Sequence, residues 1–232
     1  MRGEFNGLQK QVRDENPYAF YVHCFAHQLQ LAVVTVSSSS KPIGDFFNYI
    51  PLIVNTVSAS CKRKDALIEK HREVLLEKVE NGLVLTGIGL HQETSLARPG
   101  DTRWNSHHKT LLRLYQMWEA TEEVLEIVSD DSRQPSNSGG AYGLIRKMET
   151  FEFVFILHLM LDLLGIKNEL SHEFQRKDLD IIHAMSLIMD VKENLQSMRD
   201  NGWESLFARA ISFSEANGIA VPNMDKSITM AG

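Results

Sequence analysis

Residues 153–166 read FVFILHLMLDLLGI, an apolar run of 14 residues interrupted by His158 and Asp162. A helix of this composition has no polar side to offer water. It is also short of the roughly 20 residues that a bilayer span requires. The run is therefore predicted as a core helix buried nearly all round, and the rest of the chain has to supply the elements that cover it.

Those elements read as helices. Phe5, Leu8, Gln9 and Val12 share a helical spacing between Arg2 and Asn16, where Asn16-Pro17 stops it. Ile43, Phe46, Phe47, Ile50, Ile53, Val54 and Val57 form an i, i+3, i+4 stripe with Pro51 as a kink. Leu67, Val74 and Leu75 mark a more charged helix that ends at Asn81-Gly82. Leu111, Leu114, Tyr115, Trp118, Leu125 and Val128 define one amphipathic helix starting near Asn105 or Ser106. It should run about five turns. Leu179, Ile182, Met185, Met189 and Leu195 predict a helix from about Arg176 to Arg199, and Trp203, Leu206, Phe207, Ala210 and Ile211 a last one capped by Asn217-Gly218. The aromatic, β-branched YAFYV at Tyr18 to Val22 is the one convincing strand. Flexible loops are expected near 83–102, which is rich in Gly and Pro, and at 129–141, SDDSRQPSNSGGA, the strongest linker by composition.

Composition sets outer bounds. With 232 residues the chain holds one or two domains at roughly 150 residues each. Its 43% apolar content excludes intrinsic disorder for most of the length. Two cysteines, Cys24 and Cys61, make no disulfide framework and suit a reduced compartment. The opening residues hold no apolar h-region, so neither a signal peptide nor a membrane segment is expected. A formal charge of −6 lacks the global electropositive footprint of an autonomous DNA binder, so any nucleic-acid contact would have to be local.

Few residues carry chemistry. Cys24-x-x-His27, preceded by His23, offers the thiolate and imidazole that zinc prefers, but a structural zinc needs four ligands, and the next tight cluster, His107-His108, lies some 80 residues away. A packed Cys with a hydrogen-bonded His is the plainer reading, and zinc is not expected. Arg103 and Trp104 lie between a Gly/Pro-bearing loop and a helix start, a place that suits anions. The pair also suits an unstacked base beside a phosphate. The alternative is a Trp that only docks the helix start, with Asn105 or Ser106 as N-cap. Metal-dependent phosphoryl chemistry needs convergent carboxylates. Of the acids available, Asp178 and Asp180 read as first-turn helix acids, and Asp162 pairs with His158 or with a Lys or Arg. There is no P-loop, G-x-S-x-G, H-E-x-x-H or C-x-x-C.

The blocks YAFYVHCFAHQLQLAV, DTRWNSHHKTLLRLYQMWEATEEVLEIV, FQRKDLDIIHAMSLI and NGWESLF, in that order, resemble the transposase-derived proteins of the hAT superfamily, in particular the plant zinc finger MYM-type 1-like, TTF-type zinc finger group. The resemblance covers essentially residues 2–225. It implies a mainly α chain: residues 1–41 as a remnant of an RNase H-like core (helix, strand, helix with C-x-x-H), residues 42–225 as the helical insertion domain, and 226–232 as a tail. In such a frame Trp104 would stack near a flipped base at a transposon end beside Arg103, and the Cys24 and His27 motif would sit next to the ancestral active site.

The same resemblance places the family's two catalytic Asp residues upstream of Met1, and its catalytic Glu and dimerisation segment beyond Gly232. The expectation is thus an interior fragment without nuclease or transposase activity and without bound magnesium. It would be nuclear, and its weak binding of DNA, of a protein partner or of itself would be what remains. The competing expectation is a helical protein-interaction module with no nucleic-acid affinity. No small-molecule substrate and no membrane partner are expected.

Overall fold

The computed structural model describes residues 7–19, 35, 39–80, 96, 104–131, 135–176, 178 and 180–223, with Trp104 and Asn105 described by their backbone alone. Among the described residues the fold is mainly α: nine helices and no strand. They are α1 (Leu8–Glu15), α2 (Lys41–Val57), α3 (Cys61–Glu80), α4 (Trp104–Gln116), α5 (Trp118–Ser129), α6 (Pro135–Met148), α7 (Phe151–Glu173), α8 (Ile181–Asn201) and α9 (Trp203–Ala216).

The apolar run forms the middle of α7, the longest helix, which buries Val154, Leu157, Met160 and Leu164 among others. Helices α4 and α9 pack along it, α2 and α6 touch it more lightly, and α5 joins α6 and α3 in the other half of the core. The two halves meet in an aromatic chain. Phe46 of α2 lies 4.8 Å from Phe153 of α7, Trp118 of α5 lies 6.0 Å from Phe153, and Trp118 lies 5.2 Å edge-on to Phe213 of α9. Such ring pairs add about 0.5–1.5 kcal/mol each beyond the area they bury.

Local chemistry explains several helix ends. Thr150 caps α7, its Oγ1 accepting the Phe153 backbone N–H at 3.3 Å. Asp180 caps α8 through the His183 N–H at 2.7 Å. Asp178, expected in that first turn, instead precedes the helix and holds Arg176 at 2.8 Å. Gly218 takes φ +68, and the Ile219 N–H returns to the Ser214 carbonyl at 2.8 Å, which closes α9 at Asn217-Gly218 as expected. In α2 the helix continues through Pro51, burying Phe46, Ile50, Ile53, Val54 and Val57 on one face.

Three sequence expectations change. The single helix through Leu111 and Val128 is two, broken at Met117, whose φ of −107 and ψ of 24 depart from helical geometry. The apolar stripe is divided between the two: α4 packs its share against α7, and α5 its share against α3 and α6. The 129–141 linker is a helix from Pro135 onward. Proline is favoured in the first helical turn, and burial of Ala141, Leu144, Ile145 and Met148 outweighs the poor propensity of Gly139 and Gly140. Tyr18, expected to open a buried strand, sits exposed in a turn just after Pro17, and Phe20–Val22 lie outside the described residues. Loop 83–102 also lies outside them except for Leu96, which is buried in the core, its carbonyl accepting from Ser58 Oγ at 3.3 Å.

Helix α3 is held differently. It buries only Leu67, and flanking lysines reach α5, with Lys70 3.1 Å from Glu123 and Lys78 2.7 Å from Glu119. Exposed pairs of this kind contribute at most about 1 kcal/mol each, so Leu67 and the packing against α5, with a lighter touch on α2, hold α3 in place.

Candidate functional site

Of the residues singled out by sequence, Cys24, His27 and Arg103 lie outside the described residues. Trp104 is the first residue of α4, so its backbone N–H belongs to the helix start, where unpaired amides and the helix dipole favour an anion. The expected cap at Asn105 or Ser106 is thereby moved: both lie within the first turn. What α4 does next is well defined. Leu111 and Leu114 are fully buried, and the buried Thr110 donates from Oγ1 to the Ser106 carbonyl at 2.9 Å.

Along the same helix, His108, Leu112 and Tyr115 form one wall of an open cleft of about 590 Å³. Its floor is α7, through His158, Leu161 and Asp162, and its far wall is α9, through Arg209, Ser212 and Phe213. Three polar groups define its character.

His158 is 4% exposed, and its Nδ1 lies 2.9 Å from the Val154 carbonyl oxygen. A carbonyl only accepts, so Nδ1 carries the proton and Nε2 is left as an acceptor. Burial lowers the His158 pKa, with the Arg209 charge adding to it against the opposing Val154 bond and Asp162, so the ring is neutral near neutral pH. Tyr115 and Phe213 clamp it edge-on at 5.4 and 5.3 Å, and the two rings stack on each other at 5.0 Å.

The Asp162 carboxylate accepts both Nη atoms of Arg209, one of them at 3.1 Å. This resolves the open question about Asp162: its partner is an arginine 47 residues away, not His158 one turn back. The pairing raises the Arg209 pKa still further and leaves the pair neutral as a unit.

His108 sits where α4 and α7 come close, with 3.6 Å between its Nε2 and the position a side chain at Gly165 would occupy. Burial lowers its pKa, and Lys167 opposes Glu169 in tuning it. Lys167 itself is 6% exposed, and burial lowers its pKa.

The cleft therefore presents hydrogen-bonding groups and ring faces with little net charge. Among the described residues no three His, Cys, Asp or Glu side chains converge as metal ligands, and no helix is long and apolar enough to cross a membrane. Sequence reading missed the cleft as a unit, although the anomaly of Asp162 and His158 inside an apolar helix pointed at it.

No protein-family model matches the chain, and no solved structure matches it.

Proposed function

We propose that this chain is a non-catalytic protein derived from a hAT-type transposase, and that its helical domain acts as a binding module with weak affinity for nucleic acid through Arg103 and Trp104. The observation that carries the reading is the place of Trp104 at the first position of α4, whose buried Leu111 and Leu114 lie in the helix packed along α7. A tryptophan at a helix start anchored in this way, with an arginine next to it in the sequence, suits a phosphate and a neighbouring base. The ordered series of four family-like blocks supports the descent. On this reading the protein needs neither zinc at Cys24 and His27 nor magnesium, and works in the nucleus.

The test is a fluorescence titration of hairpin and single-stranded DNA over a range of salt, with the chain and its Trp104→Ala variant. Micromolar binding that weakens with salt and is lost in the variant is expected. Equal, negligible binding by both proteins would overturn it.

A second reading, a helical protein-interaction module without nucleic-acid affinity, is favoured by one specific observation. Helix α8 buries only Ala184 and leaves Ile181, Ile182, Met185 and Met189 largely exposed.

A further inference from the structure

Helix α8 is apolar on more of its circumference than the fold uses. Ala184, Leu187, Val191 and Met198, at helical spacing, are its less exposed positions, while the helix packs on α7 and α9. A second set, Ile181, Ile182, Met185, Ile188 and Met189, is between 36% and 80% exposed. Isolated exposed apolar residues need no explanation, but five on two turns of one helix do.

Their spacing is symmetric. Counted from Met185, the five stand at −4, −3, 0, +3 and +4. These are the offsets by which a helix places side chains on one face. A two-fold axis through Met185 brings an antiparallel copy of α8 into register, with Ile181 against Met189, Ile182 against Ile188, and Met185 against itself. That is the self-complementarity an isologous dimer requires.

The exposed surface of the five side chains is about 600 Å² per copy, so a face-to-face pair that covered it fully would bury at most about 1,200 Å² from these residues, which reaches the lower end of the range for specific complexes.

We propose that this face of α8 is the interface of a homodimer, with the two helices crossing antiparallel about Met185. The proposal is independent of nucleic-acid binding, since the α8 face and the start of α4 are different surfaces.

The experiment is sedimentation equilibrium of the full chain and of Met185→Glu, from micromolar to sub-millimolar concentration, with far-UV circular dichroism of both. A monomer–dimer equilibrium is expected for the chain. The variant puts two carboxylates on the axis, and its dimer should weaken by more than about 100-fold. Its helical signal should be unchanged, because Met185 touches solvent. As a second measurement, in a Cys24→Ser, Cys61→Ser background, Met185→Cys should cross-link two chains under mild oxidation, and Glu193→Cys, away from the axis, should not. A chain that stays monomeric at every concentration, or a dimer indifferent to Met185→Glu, would overturn the proposal. The first result would give the face to the chain's own remaining segments or to another protein.

Discussion

Arg209 of α9 grips Asp162 of α7 with both terminal nitrogens, across 47 residues of sequence. The pair ties those two helices together at the mouth of the cleft. Because the carboxylate is more buried than the guanidinium, removing either partner has unequal effects. Arg209→Ala leaves Asp162 next to apolar neighbours, whereas Asp162→Ala leaves an arginine that can turn to water. The arginine variant is expected to be the less stable of the two. A double-mutant cycle in urea should give a coupling of about 1 kcal/mol. A coupling indistinguishable from zero would show that the two groups are solvated separately.

Glu122 predicts a pH dependence. Burial, then the charge of Glu149, raises its pKa to about 7, so near pH 6 the folded chain holds a proton that the unfolded chain has released. An acid raised in this way costs nothing at pH 4 and imposes a penalty that grows as pH rises from its ordinary value through about 7. Glu122→Gln should therefore be more stable than the parent at pH 8, by about 1–2 kcal/mol after allowing for solvent screening, and the gap should close by pH 5. Comparing the two proteins cancels the opposite acid-side effect of His108 and His158, whose lowered pKa values cost stability as pH falls. Parallel stability curves from pH 5 to 8 would refute the shift.

The α7 cap is a single hydroxyl. Thr150→Ala removes the acceptor for the Phe153 N–H at the head of the central helix and should cost about 1 kcal/mol, while Thr150→Ser should cost far less. Chemical denaturation of the three proteins decides it.

Gly139 and Gly140 lie within α6 at ordinary helical φ, and a side chain at either would meet nothing within 4 Å. Each Gly→Ala substitution should stabilise the protein by about 0.5–1 kcal/mol, a rise in melting temperature measurable by calorimetry. A fall would mean that this segment is not helical in solution.

What could be read ahead of the structure follows the range of the forces involved. The apolar run announced α7 because burial on all sides leaves no alternative for such a sequence. The end of α9 was equally legible, since Asn217-Gly218 meets a backbone demand that few other residues satisfy. The corner at Met117 was not. No glycine or proline marks it, and it arises from the separate packing of α4 and α5. The glycines and serines before Ala141 suggested a linker because composition reports propensity, whereas α6 is held by what Leu144 and Ile145 touch. In the cleft, the misfit of Asp162 in its helix was visible, and a basic partner was one of two local options. Choosing Arg209 required the fold, because spacing along a chain does not say which helix lies alongside.

The corner at Met117 has a mechanical side. Since α4 leans on α7 while α5 is tied to α6 and α3, strain applied to one arm is not handed rigidly to the other. The arm that carries Trp104, His108 and Tyr115 can lift from its bed, at the cost of exposing Leu111 and Leu114, without prying open the side of the core built on Trp118 and Val124. In amide exchange α4 should open as its own unit and at lower free energy than α5. The helix that begins at the candidate nucleic-acid motif is thus one that can adjust apart from the half of the core built by α3, α5 and α6.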